Sequence, residues 1–244
     1  QADFERVLTP MDGLPVTVRL LDAPLHEFLE ENEEQNPMLG LRGIRLAITT
    51  EDLYRTQTRA LIAAVQERIS MGGDPKVEIM VPLVSLEEEL TLVLGWIRQE
   101  LNNLPMPVPV GTMIETPRAA LIAGTLAKHI DFISFGTNDL TQMTFGFSRD
   151  DVEVSVINEY IEKELLEKSP FETLDIDGVG LLVTTAISQS RKVNPDIKIG
   201  ICGEHGGDPA SIRFLVDAGV DYVSCSPPRI PVARLISSQI LLDS

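Results

Sequence analysis

The chain has 244 residues, of which 43% are hydrophobic and 23% charged, so it can bury a sizeable core in one large domain and is not intrinsically disordered. Its 37 acidic and 20 basic residues give a formal net charge of −17, and a field of that sign repels nucleic-acid phosphates and anionic lipid headgroups. A small anionic substrate must therefore be held locally, by a few arginines, by a cation, or by both.

Short β-rich runs recur along the chain and alternate with helical patterns. Seven runs are predicted to be strands: 16–22, 44–48, 77–83, 108–115, 131–137, 197–204 and 221–225. Several of them are continuous apolar runs rather than alternations of apolar and polar residues. Such runs are typical of a parallel sheet that is covered by helices.

The predicted helices are indicated by capping residues and by apolar residues at helical spacing. Ser85 and Glu88 have the spacing of a capping box, and an apolar face follows them as far as Leu101. Thr116 and Asp208 each precede a proline, which predicts two further helix starts. Three more amphipathic helices are predicted from these apolar positions: Leu61, Val65 and Ile69; Ile157, Ile161 and Leu165; Val179, Val183 and Ile187.

Alternating strands and helices favour a parallel α/β fold, either an open doubly wound sheet or a closed barrel. No Gly-x-Gly-x-x-Gly turn follows the first strand, whereas polar or reactive residues end nearly every strand: Asp22, Pro82, Glu115, Asn138, Asp139, Cys202, Glu204 and Cys225. Such a ring is typical of the C-terminal face of a barrel. We therefore predict a single (β/α)8 TIM-type barrel domain over residues 1–244, with seven of the eight strands recognised and one missing, and a solvent loop at the glutamate-rich stretch 27–37.

Glu115 and Asp139 are the first candidates for chemistry, because each is predicted to end a strand at this face. Mg²⁺ typically takes one or two protein carboxylates and leaves its other positions to water and substrate oxygens. The alternative is that each carboxylate caps the helix that follows it. From spacing alone, both interpretations stay open.

The two cysteines, Cys202 and Cys225, make neither a disulfide framework nor a four-ligand zinc set, which predicts a reducing cytoplasm. No apolar run approaches the ~18 residues of a membrane span, and the first ten residues do not have the pattern of a secretory leader. At a strand end a cysteine is most often a small buried hydrophobe. The alternative for Cys202 is a role as an acid, because a thiol with the ordinary pKa of ~8.5 carries a proton at neutral pH.

Arginines are informative in so acidic a chain. Arg19 interrupts an apolar strand, so its guanidinium must be paired, exposed, or directed at an anion. Arg42 and Arg45 lie among glycines that permit close approach of a ligand, although ion pairing with carboxylates is the alternative. Arg149 is predicted to lie in a surface loop, and His205, in the string GEHGGD, is weak evidence for any role.

Several strings are more specific than these patterns: MDGLPVTVRLLDAPLHEF, NPMLGLRGIRL, EIMVPL, VGTMIETPRAAL, FISFGTNDLTQMTFGFSRDD, GICGEHGGDP and DYVSCSPPRIPVARL. Over nearly the whole chain they resemble the C-terminal phosphoenolpyruvate/pyruvate-binding domain of the pyruvate, phosphate dikinase family, among the PEP-utilising enzymes. Phosphoenolpyruvate synthase and Enzyme I of the sugar phosphotransferase system are more distant relatives with the same barrel. The TFGFSRDD and YVSCSP strings favour the dikinase branch.

The resemblance implies a role for each matched residue. Glu115 and Asp139 match ligands of Mg²⁺, with Mn²⁺ as an alternative ion, and Asn138 beside them matches a phosphate contact. Cys202 matches the acid/base that protonates or deprotonates the methyl carbon. The other matched residues are substrate contacts: Arg19, Arg42 and Arg149, which hold the phosphoryl and carboxylate groups, and Thr137 and Tyr222, which line the pocket.

The resemblance also implies parts that lie outside this chain. The family's barrel begins with a strand of the form GIGLCRTE, which carries a further active-site arginine, and this sequence starts after it. Longer members have an insertion before NPMLG, where this chain has its glutamate-rich stretch. A nucleotide-binding domain and a swivelling phosphohistidine domain are expected as partners, together with a second copy in a homodimer.

The implied function is that of a phosphotransferase domain that interconverts phosphoenolpyruvate and pyruvate through an Mg-stabilised enolate. The phosphoryl group would be exchanged with the phosphohistidine of the swivelling domain, so this chain alone is expected to support at most the pyruvate half of the reaction. One alternative is an Mg-dependent oxoacid lyase or aldolase on the same barrel. Another is a catalytically inactive binding or dimerisation module.

Overall fold

The computed structural model describes residues 1–24, 34–50, 52–102 and 104–243. The strands in these ranges are β1 (Pro15–Arg19), β2 (Lys76–Val81), β3 (Val110–Ile114), β4 (Phe132–Gly136), β5 (Lys198–Cys202) and β6 (Tyr222–Val223). The helices are α1 (Ala2–Leu8), α2 (Gly43–Thr49), α3 (Leu53–Ser70), α4 (Glu87–Leu101), α5 (Pro117–Leu121), α6 (Ala123–Leu126), α7 (Thr137–Phe145), α8 (Arg149–Ser155), α9 (Ile157–Glu162), α10 (Leu181–Val193), α11 (Pro209–Ala218) and α12 (Ile230–Asp243).

The chain forms two compact units, Gln1–Thr112 and Met113–Ser244, and strand β3 crosses the boundary between them. In the first unit β1 pairs with β2 and β2 pairs with β3. In the second unit β4 pairs with β5 and β5 pairs with β6. All of these pairings are parallel, which confirms the predicted parallel α/β architecture. Closure into an eight-stranded barrel stays a prediction.

The core of the first unit is formed by the apolar faces of α3 and α4 together with β2. The buried side chains include Leu61 and Val65 of α3, Leu90, Val93, Leu94 and Ile97 of α4, and Ile79 and Val81 of β2, each at most 2% exposed. Burying a side chain of this size contributes about 1.5–3 kcal/mol. The helical periodicities predicted for both helices are therefore confirmed over these residues, whereas Ile69 and Leu101 at the ends of the predicted faces are only partly buried.

In the second unit, strands β4 and β5 are buried on both faces. Every residue of β4 is buried, and so are the three central residues of β5. Helices α10 and α11 cover the strands with residues that include Val183, Ile212 and Leu215, all at 0% exposure. This burial explains why both strands are continuous apolar runs.

The prediction of a strand over residues 44–48 is wrong, because these residues belong to helix α2. Ile44 and Ala47 are buried one helical turn apart, while Arg45 donates from Nη1 to the carbonyls of Leu39 (2.8 Å) and Gly40 (3.2 Å). A run of five mainly apolar residues fits one face of a helix as well as a buried strand.

The predicted helix caps are confirmed in two cases and shifted in a third. Thr116 accepts a hydrogen bond from Ala119 N at 3.0 Å, and Asp208 accepts one from Ser211 N at 2.8 Å. Before α4, however, it is Glu89 rather than Glu88 that folds back, accepting from the backbone N–H groups of Ser85 and Leu86.

Two further predictions have mixed outcomes. The amphipathic face predicted for 157–165 is buried only at Ile157, since Ile161 is 37% and Leu165 is 64% exposed and α9 ends at Glu162. Residues 27–33 of the predicted glutamate-rich loop lie outside the described residues. Within the described ranges, no helix combines the length and the apolar character needed to cross a bilayer.

Candidate functional site

In the first unit, two of the predicted arginines converge on one carboxylate, Asp22, just after β1. Arg42 donates from Nε to Asp22 Oδ1 at 3.2 Å and from Nη2 to Oδ2 at 2.8 Å. Arg19 donates from Nη1 to Asp22 Oδ2 at 3.2 Å. The Arg42 and Asp22 side chains are 4% and 1% exposed, whereas the Arg19 side chain is 49% exposed. Asp22 therefore fixes the orientation of Arg42 and leaves Arg19 accessible to a ligand.

Gly43 allows this arrangement. It has a φ of 56°, and a Cβ there would lie 2.7 Å from Asp22 Oδ1 and 2.8 Å from Leu83 Cβ. The glycine predicted to permit a close approach thus accommodates the carboxylate that holds Arg42. Any larger residue would displace that carboxylate or strain the backbone.

In the second unit, Glu115 follows β3 and is fully buried at 0% exposure. The helix after it is capped by Thr116, which excludes the interpretation of Glu115 as the cap. A Cβ at Gly136, the last residue of β4, would lie 2.5 Å from Glu115 Oε2. Because glycine has no side chain, Gly136 leaves room for the Glu115 carboxylate beside the end of β4.

Asp139 lies in the first turn of α7, three residues after Gly136, and is partly buried. A buried carboxylate and a partly exposed one at the ends of consecutive strands are hard oxygen donors, which fit Mg²⁺ with its remaining positions left to water and substrate. No set of three or more His, Cys, Asp or Glu side chains suited to a metal occurs within the described ranges. Two carboxylates are the number Mg²⁺ commonly takes from a protein.

The two cysteines have different surroundings. Cys202 ends β5 opposite Gly136 of β4, donates from Sγ to the Phe135 carbonyl at 3.5 Å, and accepts from Ser134 Oγ at 3.7 Å. Cys225 packs against the apolar cluster of Ile212, Ala233 and Ile240. Cys202 is thus the cysteine with polar contacts at a strand end, and Cys225 fits the structural alternative. The contact from Ser134 was missed by the sequence analysis, although a serine within the apolar run FISFG was a signal for it.

Residues at the start of α7 contact the turn that follows β5. Thr137 Oγ1 lies 3.1 Å from the Cys202 carbonyl oxygen, and Asn138 Oδ1 accepts from Glu204 N at 3.1 Å. Gly203, with a φ of 107°, makes the approach possible, because a Cβ there would lie 2.7 Å from Thr137 Oγ1. Since the amide oxygen of Asn138 is used in this way, its NH2 group is directed elsewhere as a donor, as a phosphate contact requires.

His205 is fully buried in the same turn and bridges two other segments. Its Nδ1 lies 2.8 Å from Thr137 Oγ1, and its Nε2 lies 2.9 Å from the Pro170 carbonyl oxygen. Burial lowers the pKa of His205, and this effect outweighs the opposing hydrogen bond to Pro170. No sequence pattern selects this histidine, because its partners are far away along the chain.

Arg149 and Tyr222 are the two remaining predicted substrate contacts. Arg149 begins α8, donates from Nε to Glu153 Oε1 at 3.2 Å, and has its guanidinium carbon 5.8 Å from the centre of the Phe171 ring. It is thus partly packed rather than a free surface residue. The Tyr222 ring covers Gly200, where a Cβ would overlap the ring. Gly200 precedes Cys202 by two residues, so the ring lies on the same face of β5 as the Cys202 side chain.

Comparison with known proteins agrees with the strings described above. A family model described as "PEP-utilising enzyme, PEP-binding domain" matches residues 1–242. Pyruvate, phosphate dikinase (chloroplastic) of Flaveria pringlei is 46% identical over 275 residues, which cover 99% of this chain and 29% of the relative. Pyruvate, phosphate dikinase 2 of Zea mays is also 46% identical, covering 99% of this chain and 31% of the relative.

The chain therefore spans under a third of the length of these relatives. Its 244 residues are fewer than the 275 positions of the alignment, so the Flaveria protein has residues that this chain lacks. Among solved structures, a citrate lyase from Burkholderia xenovorans LB400 has a similar fold, with a TM-score of 0.51 and 14% identity over 77% of this chain and 54% of the lyase chain. That likeness concerns the α/β fold alone.

Proposed function

Because the chain belongs to the family of PEP-binding domains of PEP-utilising enzymes, we propose that it binds phosphoenolpyruvate and pyruvate and carries out the pyruvate half of a pyruvate, phosphate dikinase reaction. The observation that supports this most directly is the arrangement around Cys202. Its thiol is hydrogen-bonded at the end of β5, beside the Thr137–Asp139 segment that begins α7. We propose in addition that the parallel strands belong to a TIM-type barrel.

The proposed metal ligands are Glu115 and Asp139. The space at Gly136 and the chemistry of the two carboxylates support this assignment. When bound there, Mg²⁺ would neutralise the negative charge that develops on the enolate and phosphoryl oxygens.

Anion binding is assigned to the arginines and to Asn138. Asp22 holds the Arg42 guanidinium in one orientation, so the enzyme need not order that side chain when substrate binds. Arg19 is half exposed, and its planar donors suit a phosphate or carboxylate group. Arg149 and Tyr222 complete the proposed set as a charged contact and a pocket wall, respectively.

Cys202 is the proposed acid/base. When phosphoenolpyruvate has given up its phosphoryl group, the thiol S–H bond breaks, the proton forms a new C–H bond at the methylene carbon of the enolate, and a thiolate remains. In the opposite direction the thiolate removes a methyl proton from pyruvate and the enolate oxygen becomes the phosphoryl acceptor. The hydrogen bond from Ser134 Oγ would stabilise the thiolate.

The phosphoryl donor and acceptor is proposed to be a phosphohistidine on a swivelling domain, which itself exchanges with a nucleotide-binding domain. Neither partner is needed for proton exchange at pyruvate, so that exchange isolates the work of this chain. A homodimer and a cytoplasmic location remain part of the proposal. Family membership does not favour the lyase or the inactive module.

The test is exchange of the pyruvate methyl protons into deuterated water, followed by proton NMR. The 244-residue chain should catalyse the exchange when Mg²⁺ is present and should lose it on addition of EDTA. Given ATP, inorganic phosphate, Mg²⁺ and pyruvate, the same chain should make no phosphoenolpyruvate. Cleavage of oxaloacetate without pyruvate exchange would instead identify a lyase, and the absence of both reactions would identify an inactive module.

A further inference from the structure

The buried imidazole of His205 connects three segments of the second unit. It lies in the turn Glu204–Gly207 after β5, contacts Thr137 at the first residue of α7 through Nδ1, and contacts the Pro170 carbonyl through Nε2. Thr137 is followed directly by Asn138 and Asp139, the proposed phosphate and metal contacts. His205 thus contacts the residue that precedes the proposed phosphate and metal contacts, but it is not itself one of those contacts.

The hydrogens in this network can be assigned from the chemistry of the partners. The Pro170 carbonyl oxygen can only accept, so His205 Nε2 must carry a hydrogen. Thr137 Oγ1 has one hydrogen and two acceptors within reach, His205 Nδ1 at 2.8 Å and the Cys202 carbonyl oxygen at 3.1 Å. A neutral ring with hydrogen on Nε2 has an unprotonated Nδ1, which then requires the Thr137 hydrogen. A charged ring would donate from Nδ1 and turn that hydrogen to the Cys202 carbonyl.

We propose that His205 is a positioning residue for the proposed pyruvate site: as the neutral Nε2–H tautomer it accepts the Thr137 hydroxyl hydrogen and so holds the first turn of α7 against the turn after Cys202. This inference rests on the proposed function of that site. Burial of the ring supports the neutral form, because desolvation lowers the pKa of His205. The charged groups that act on the ring are Glu204 and Asp208, which favour its protonation, and Arg149, which opposes it.

The consequence is that Asn138 and Asp139 are held at two points. Asn138 is fixed by the Glu204 backbone N–H, and the residue before it is fixed by His205. Both anchors belong to the turn Glu204–Gly207, so the proposed metal and phosphate contacts move together with the strand end that carries Cys202. Without the His205 anchor, Thr137 keeps only the contact with the Cys202 carbonyl.

Two substitutions separate the two bonds of the ring. In His205→Asn, the amide oxygen can replace Nδ1 as acceptor for Thr137, but the bond to the Pro170 carbonyl is lost. In His205→Gln, the longer side chain can replace Nε2 as donor to Pro170, but the acceptor for Thr137 is lost. The first variant leaves a buried carbonyl oxygen without its donor, whereas in the second the Thr137 hydroxyl can still donate to the Cys202 carbonyl.

Calorimetric titration of oxalate in the presence of Mg²⁺, together with thermal unfolding, gives the decisive comparison. We expect His205→Asn to lower the unfolding temperature more than His205→Gln and yet to keep oxalate affinity within about threefold of the native chain, while His205→Gln loses about tenfold. If His205 were purely structural, oxalate affinity would follow stability, and His205→Asn would lose more affinity than His205→Gln. Equal affinities in both folded variants would also overturn the proposal.

A measurement on the native chain does not depend on the substitutions or on the proposed function. Two-bond proton–nitrogen correlation spectra at pH 7, assigned with the His205→Gln variant, should give a protonated Nε2 and an unprotonated Nδ1 for His205. An Nδ1–H tautomer or a charged ring would contradict the proposal whatever the chain binds. If the native chain binds no oxalate but has the expected tautomer, it is the proposed function that has failed.

Discussion

The Asp22 carboxylate accepts hydrogen bonds from two guanidinium groups, and one of them is almost completely buried. Removing one partner of a buried ion pair leaves an uncompensated charge, which typically costs about 3–5 kcal/mol. We therefore expect Asp22→Ala to lower the free energy of unfolding by about that amount in urea titrations. Asp3→Ala is the matched control, because the Asp3–Arg6 pair is exposed and such pairs contribute less than about 1 kcal/mol. Equal effects of the two substitutions would contradict the role of Asp22.

Arg19 differs from Arg42 because it is half exposed. We expect Arg19→Lys to weaken oxalate binding by about tenfold although the charge is kept, since lysine cannot form a planar two-pronged contact. Arg45→Lys is the control, because Arg45 bonds to backbone carbonyls of residues 39 and 40. Calorimetry measures both affinities. Unchanged binding in Arg19→Lys would make Arg19 purely structural.

The cysteines allow a sharper comparison, since Cys202 has polar contacts at Sγ with the end of β4, whereas Cys225 packs against an apolar cluster. Cys202→Ser should slow pyruvate methyl-proton exchange by at least about a hundredfold, because a hydroxyl is a far weaker acid than a thiol. It should leave oxalate binding within about threefold. Cys225→Ser, which alters an apolar cluster, should change exchange much less. The opposite ranking of the two variants would reject Cys202 as the acid/base.

Single residues were predicted from the sequence where their role is local and were missed where it depends on distant partners. Thr116 and Asp208 cap helices that start within three residues of them, so their spacing was sufficient. The contacts of His205 with Thr137 and Pro170 join residues 68 and 35 positions apart. No local pattern records such a contact.

Among the elements, α11 offers the clearest test of a predicted cap. Asp208 accepts from both the backbone N and the Oγ of Ser211, at 2.8 and 2.6 Å. Asp208→Ala should therefore cost about 1 kcal/mol of unfolding free energy, within a usual range of about 0.5–2 kcal/mol. Asp217→Ala removes the same charge from an exposed position near the end of the same helix and should not destabilise the protein. A loss as large in Asp217→Ala would remove capping as the explanation.

The strands were predicted well because a buried parallel strand is a continuous apolar run, and β4 and β5 are almost wholly buried. The same property explains the error at 44–48, because helix α2 also contains consecutive apolar residues. The sequence did not reveal that Gly43, at a φ of 56°, starts a helical turn against Asp22 and Leu83. That arrangement is set by packing rather than by periodicity.

Across the whole molecule, His205 links stability to pH. Burial lowers the pKa of His205 below the ordinary histidine value of about 6.5, so below that pH the unfolded chain binds a proton that the folded chain resists. The stabilisation contributed by the neutral ring is therefore fully present above about pH 6.5. As the pH falls below that value, the free energy of unfolding decreases by at most about 1.4 kcal/mol per pH unit. The unfolding free energy of the native chain relative to His205→Gln should decrease below that pH. A difference that stays constant from pH 8 to 5 would contradict the lowered pKa.

The parallel α/β architecture was predictable for the whole chain because it depends on a repeated alternation of elements. The residues that share a site were not predictable from this alternation, since the candidate residues fall in two units, Gln1–Thr112 and Met113–Ser244. The resemblance to a known family supplied the expected set of residues. The contacts of Asp22, Gly136 and Gly203 supplied physical reasons for the orientation of several of them.

Binding of oxalate, a mimic of the pyruvate enolate, tests the central claim most directly. In calorimetric titrations of the 244-residue chain, oxalate should bind when Mg²⁺ or Mn²⁺ is present and should not bind in EDTA. Asp139→Ala should abolish the binding, because it removes one of two proposed metal ligands, while Asp217→Ala should leave it unchanged. Oxalate binding of equal affinity with and without the metal would contradict the account.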